Sequence, residues 1–135
     1  MLIVIMILGI TQLVQVGNYN FQRAQNIQIK QATSDITCGA DTIIFAAGPY
    51  EAIESSYYLS DCKIYFYSEQ SKLGGGYAML SNSKLRVVDP AIQLVNSKTI
   101  YYIYYSEKKQ QMPDNMIQAS KQKFDSLFVE KYQTR

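Results

Sequence analysis

Residues 1–10 read MLIVIMILGI and residues 17–36 read GNYNFQRAQNIQIKQATSDI, and these two stretches determine the fold that the sequence predicts. The first 22 residues carry no charge, and Arg23 is the first charged side chain. Burial of each large apolar side chain contributes about 1.5–3 kcal/mol, so exposure of residues 1–10 to water is costly. We therefore expect this segment to enter a membrane, a protein core or a packed assembly.

The second stretch has the period of an amphipathic helix. Ile29, Ala32 and Ile36 recur at three- and four-residue steps. One helix over residues 1–36 is predicted, about 50 Å long at 1.5 Å per residue. A head formed by residues 37–135 is too small to cover so long a helix, so we expect its apolar half to protrude.

Three other roles for the apolar run fit the sequence less well. A cleaved secretory signal needs a basic residue before the run and a small-residue cleavage site, but no Lys or Arg comes first and Gln15 occupies the position three residues before the candidate exit. A conventional transmembrane helix needs about 20 apolar residues, and Gln12 and Gln15 interrupt this one. A buried core helix would have a polar face, which residues 1–10 lack.

The order of residues in the first stretch resembles the N-terminal helix of type IV pilins and type II secretion pseudopilins. The apolar run contains a small residue at Gly9, and it is followed by a helix-weakening Gly17, an aromatic residue at Phe21 and then Arg23. The resemblance covers residues 1–36. The glutamate that precedes this run in the family is absent from the sequence, and we expect a late start or a truncation to account for that departure.

The resemblance implies a structural, non-enzymatic subunit, of the minor kind, in a type IV pilus or pseudopilus-like filament. Its partners would be the bacterial inner membrane, other pilin or pseudopilin subunits and the assembly platform, with the head in the periplasm or outside the cell on a cell-surface filament. The apolar and small residues of the membrane and assembly helix would be Met1, Leu2, Ile3, Val4, Ile5, Met6, Ile7, Leu8, Gly9, Ile10, Leu13, Val14 and Val16. The alternative is a membrane-anchored or secreted single-domain binding protein with residues 1–16 as anchor or signal.

The remaining residues change to short apolar runs bounded by turn residues, which favours strands. Strands are predicted at 42–47, 62–67, 85–88, 92–95 and 99–105, with the last two joined as a hairpin. The short links between them indicate a small antiparallel sheet packed on the long helix, an α+β, pilin-like head. A C-terminal helix is predicted over 114–132, because Asp114 suits an N-cap and the apolar residues that follow share one helical face.

The other sequence signals argue against catalytic and metal chemistry. The sequence contains no His, and no carboxylate pair or nucleophile has a catalytic context, so neither an enzyme nor a cofactor is predicted. Gly74, Gly75 and Gly76 are not followed by the Lys-Ser/Thr of a phosphate loop and are interpreted as a turn. The formal net charge of +2 is spread over interspersed charges, which indicates no nucleic-acid partner. Cys38 and Cys62 fit no metal or redox spacing, and the sequence leaves open a disulfide or two free thiols.

Overall fold

A six-stranded mixed sheet lies at the centre of the fold. The computed structural model describes residues 27–69, 73–74, 77, 80, 84–105 and 110–135. The helices described are α1 (residues 27–33), α2 (Pro49–Tyr58) and α3 (Pro90–Gln93). The strands are β1 (Thr42–Ala46), β2 (Lys63–Tyr67), β3 (Arg86–Val87), β4 (Thr99–Tyr105), β5 (Met116–Phe124) and β6 (Leu127–Thr134).

The strands lie in the order β3-β2-β1-β4-β6-β5. The first four are parallel, and β1 is central among them, with Ile44 opposite Ile64 on one side and Tyr101 on the other. Strand β6 is antiparallel to β4, and β5 pairs with β6 as a hairpin. Helix α2 connects β1 to β2, which is the kind of crossover that neighbouring parallel strands require.

Both faces of the sheet are covered. On one face, Ile29 and Ala32 of α1 and Ala52 of α2 pack against strand residues such as Ile44 and Phe66. The opposite face carries a second cluster, in which buried aromatic residues from β1 and β4 meet the segments around α3 and residues 112–116. A strand that is buried on both faces has apolar residues on both sides, which is why β1 (TIIFA) is continuously apolar.

The predicted α+β fold with a small antiparallel sheet on a long helix is therefore wrong. Strands β1 to β4 are parallel, and residues 92–95 do not form the first strand of a hairpin with β4. Helix α3 occupies the start of that segment and carries the chain from β3 across to β4. Short links between apolar runs favour hairpins, whereas the link between β3 and β4 contains its own short helix.

The predicted C-terminal helix over 114–132 is also wrong, because this segment forms the β5–β6 hairpin. Most residues of β5 are exposed at the edge of the sheet, so the strand lacks the apolar alternation that marks a half-buried strand. Lysines such as Lys121 and Lys123 are common on edge strands, where they oppose pairing with another chain. In a helical projection, the same lysines resemble a solvated face.

Most of the predicted N-terminal helix lies outside the described residues. Residues 27–33 are helical, whereas residues 1–26, which include every member of the predicted assembly set from Met1 to Val16, are not described. Within the described part of the chain, none of the helices has the length and apolar character needed to cross a membrane.

The first residues of α1 lie at the edge where β1, β2 and β4 end, here called the carboxyl edge, because Gln28 contacts the β5–β6 turn and Leu127 after that turn pairs with Tyr105 at the end of β4. The Gln28 amide donates to Asp125 Oδ2 at 2.9 Å and accepts from Ser126 Oγ at 3.0 Å. Both partners form the β5–β6 turn, where Asp125 has a positive φ of 56°. At the opposite, amino edge, Cys38 and Cys62 form a disulfide with a Cα–Cα distance of 5.4 Å.

Candidate functional site

An open cleft of about 700 Å³ lies at the carboxyl edge, beyond the ends of β1 and β2. Three groups of residues form its walls: the chain leaving β1, the end of β2 with the residues after it, and residues from the two connections that follow β2 and β4. The lining residues are Ala47, Gly48, Pro49, Tyr67, Ser68, Glu69, Leu73, Gly74, Tyr77 and Gln110.

The topology of the sheet explains why a cleft opens at this place. From β1 the chain passes through α2 on one face to reach β2, whereas Met112, in the connection that follows β4, packs on the opposite face. The connections therefore diverge to opposite faces around the ends of β1 and β4. In open sheets with parallel strands, such a switch point beyond the carboxyl ends is where ligands bind.

One wall carries a hydrogen-bonded pair at the end of β2. The Tyr67 hydroxyl donates to the Glu69 carboxylate, and this bond raises the pKa of Tyr67 above its ordinary value. Tyr67 presents a ring and an acceptor to the cleft, and the exposed Glu69 carboxylate has further acceptor positions. Tyr77 adds a second ring, and Gln110 adds an amide that can donate and accept.

The first turn of α2 lies behind the wall formed by Gly48. Burial raises the pKa of the Glu51 carboxyl, and hydrogen bonds from the backbone amides of Glu51 itself and Tyr105 partly offset that rise. A Cβ added at Gly48 would lie 3.1 Å from Glu51 Oε2, so the carboxylate comes close to the backbone of the wall. A helix N-terminus attracts anions through free amide groups. In α2 the Glu51 carboxylate already accepts a hydrogen bond from the backbone amide of its own residue.

No family model, curated protein or solved structure matches this chain. The function of the chain is therefore inferred from the chemistry of the residues that the fold brings together.

A second polar cluster lies within the antiparallel part of the sheet. Glu130 is fully buried, and its Oε1 accepts from the Tyr104 hydroxyl at 2.8 Å and from Lys121 Nζ at 2.9 Å. Its Oε2 accepts from the Tyr132 hydroxyl at 2.5 Å. This cluster is part of the packed sheet and has no residue in common with the cleft lining.

Stacked aromatic rings connect this cluster to the centre of the sheet. Three pairs of rings stack. The distance between ring centroids is 5.1 Å for Phe45 and Tyr102, 4.7 Å for Tyr102 and Tyr104, and 5.2 Å for Tyr104 and Phe128. Tyr102 and Tyr104 therefore contribute to the packing of the sheet.

The residues that the sequence singles out lie in separate parts of the structure. Cys38 and Cys62 form the disulfide at the amino edge, far from the cleft. Gly74 lines the cleft, whereas Gly75 and Gly76 lie outside the described residues. In the described ranges, no group of three or more Cys, Asp or Glu side chains could hold a metal ion.

Sequence reasoning missed the site residues Gly48, Tyr67, Glu69 and Gln110. A usable signal was present for the first three. The apolar run of β1 ends at Gly48-Pro49, a usual start for a helix, and the run of β2 ends at Tyr67 with Glu69 two residues later. Polar residues just past the ends of parallel strands are candidates for a site, but only once the strands are known to be parallel.

Proposed function

We propose that this chain is a membrane-anchored binding protein whose domain lies outside the cytoplasm and holds a small, uncharged, hydroxyl-rich ligand in the carboxyl-edge cleft. The observation that carries the proposal is the Tyr67–Glu69 pair facing an open cleft at the switch point of the sheet.

Two features of the chain support this compartment. The Cys38–Cys62 disulfide is typical of proteins in an oxidising compartment, since cytoplasmic thiols are kept reduced in most organisms. Residues 1–22 carry no charge, which favours an anchor in the membrane. An anchored domain with a disulfide would face the periplasm or the cell exterior.

The class of ligand follows from the groups that line the cleft. Carboxylate oxygens accept hydrogen bonds from hydroxyl groups, and the Gln110 amide can both donate and accept. The faces of Tyr67 and Tyr77 offer apolar surfaces against which a sugar-like ring can lie. Glu69 and Glu51 disfavour a phosphate or carboxylate ligand by repulsion, and Glu51 engages the amide of its own residue at the helix N-terminus.

The filament-subunit hypothesis stays a prediction, because most of residues 1–36, on which it depends, lie outside the described residues. The pilin-like fold that accompanied it is wrong, so the described domain lends it no support. The membrane-anchored binding protein, the alternative derived from the sequence, agrees better with a parallel sheet that ends in a cleft.

The test is a binding titration on the full chain in lipid nanodiscs or zwitterionic detergent, because glycoside detergents carry the chemistry of the probes. A panel of neutral mono- and disaccharides is the probe set, and inorganic phosphate is the anionic comparison. Glu69→Gln removes the negative charge, and loss of a charge-assisted hydrogen bond costs about 1.5–3 kcal/mol, or roughly a tenfold or greater loss of affinity. Glu54→Gln is the matched control, because Glu54 lies on α2 and does not line the cleft.

The expected result is saturable binding of at least one neutral saccharide that Glu69→Gln weakens and Glu54→Gln leaves unchanged. Binding of phosphate in preference to every saccharide would contradict the proposed ligand class. Equal effects of the two substitutions would contradict the proposed site.

A further inference from the structure

We infer that the carboxyl edge of the sheet faces the membrane, so that the cleft receives hydroxyl groups presented at the membrane surface. This inference rests on the proposed function for its anchor. It concerns the orientation of the domain, which follows from the contacts that helix α1 makes at the carboxyl edge.

The first described residues are fixed to the carboxyl edge by side-chain contacts. Gln28 is largely buried, and its amide bonds to both residues of the β5–β6 turn, Asp125 and Ser126. One residue further into the helix, Ile29 is fully buried in the core. The chain therefore enters the domain at a fixed point on the carboxyl edge.

The distance between the apolar segment and that point is limited by chain length. Residues 17–26 follow Val16 and precede Ile27, and ten residues span at most about 36 Å when fully extended. The first charge, Arg23, is only four residues before Ile27, a span of at most about 14 Å. An anchor in residues 1–16 would hold the entry point within the span of residues 17–26 from the membrane surface, so the edge that contains the entry point is the edge tethered to the membrane.

The cleft lies along the same edge as the entry point. Between the β5–β6 turn and the end of β2 the sheet has the order β5, β6, β4, β1, β2, which is four strand spacings. At about 4.8 Å per spacing, the cleft is roughly 19 Å from the entry point along the edge. The amino edge with its disulfide is a full strand length beyond, about 20 Å for the seven residues of β4.

A short tether at the carboxyl edge therefore brings the cleft, and not the disulfide edge, towards the lipid headgroups. In that orientation the ligand is carried on the membrane surface as a hydroxyl-bearing lipid headgroup, which has the hydroxyl chemistry of the proposed ligand.

The orientation can be measured with single tryptophans, because the sequence contains none. Glu69→Trp and Asp61→Trp place a probe at opposite ends of β2, and both residues are exposed. Val88→Trp adds a second exposed probe at the carboxyl edge, next to the end of β3. Full-length variants are reconstituted into phosphatidylcholine vesicles, with or without lipids that carry a spin label on the headgroup.

We expect headgroup spin labels to quench the Glu69→Trp and Val88→Trp probes several-fold more than the Asp61→Trp probe. Equal quenching at the two ends of β2, or stronger quenching at Asp61→Trp, would overturn the inferred orientation while leaving membrane anchoring and cleft binding intact. Failure of the wild-type chain to float with the vesicles would overturn the anchor and with it this inference. Binding of a saccharide-headgroup lipid in vesicles, compared with the free saccharide, then distinguishes a headgroup from a soluble source.

Discussion

Replacement of Lys121 by Met tests how the buried carboxylate of Glu130 is stabilised. The Glu130 side chain is 0% exposed, and Lys121, whose side chain is 45% exposed, supplies a positive charge 2.9 Å away. After Lys121→Met, hydroxyl donors from Tyr104 and Tyr132 remain, but the positive charge from Lys121 is lost.

This geometry sets the free energy of unfolding that Lys121→Met removes. Removal of one partner from a buried ion pair costs about 3–5 kcal/mol, because the remaining charge stays in a poorly solvated site. Two hydroxyl donors remain here, so we expect the lower end, about 3 kcal/mol of the free energy of unfolding. That loss lowers Tm by roughly 10 °C for a domain of this size.

The double variant Lys121→Met/Glu130→Gln separates the charge effect from general damage. Glu130→Gln removes the buried charge, so Lys121→Met should cost much less in that background than alone. The assay is urea unfolding of the full-length variants in detergent, followed by the near-ultraviolet circular dichroism of the stacked tyrosines. A loss below about 1 kcal/mol for Lys121→Met alone, the value of an exposed pair, would refute the reasoning. Additive losses in the double variant would refute it as well.

Three further predictions concern the stability of the domain. The double variant Cys38→Ser/Cys62→Ser removes the disulfide that closes a loop with a sequence separation of 24. We expect the free energy of unfolding to fall by about 3.5 kcal/mol. Equal urea unfolding midpoints with and without the disulfide would contradict this. Gln28→Ala removes two hydrogen bonds at the β5–β6 turn and should cost about 1–2 kcal/mol, whereas the exposed Gln31→Ala on the same helix should cost far less; equal losses would argue against the turn contact. Burial raises the pKa of Tyr102, so above pH 10 the unfolded state loses a proton that the folded state keeps, and stability should fall by about 1.4 kcal/mol per pH unit for this tyrosine. Below pH 9 the ionisation of Tyr102 should not change the free energy of unfolding. A urea midpoint that stays constant up to pH 11 would contradict the prediction.

The sequence predicts the strands of this fold better than their arrangement. The strands β1, β2 and β4 lie where short apolar runs predict them, and the alternation of Ile64 and Phe66 with Tyr65 and Tyr67 matches the two faces of β2. Local sequence patterns do not indicate whether neighbouring strands are parallel or antiparallel, so they did not predict the parallel pairing. A near-continuous apolar run is the one local sign of a strand buried on both faces, and β1 has it.

The site was harder to predict because it depends on strand direction. Tyr67 and Glu69 are near the chain leaving β1 only because β1 and β2 run in the same direction, with Phe45 opposite Tyr65. In an antiparallel meander these residues would lie at opposite ends of the sheet. Gln110, which follows β4, could be placed in the cleft only with the strand order known.

The most direct test of the central claim is hydrogen–deuterium exchange of the full chain in nanodiscs, with and without the saccharide that binds best. The account predicts slower exchange on binding at residues 47–50, at residues 67–69 and at Gln110, with no change near Cys38 and Cys62 at the amino edge. Protection at the amino edge, or saturating ligand with no protection at residues 67–69, would contradict it.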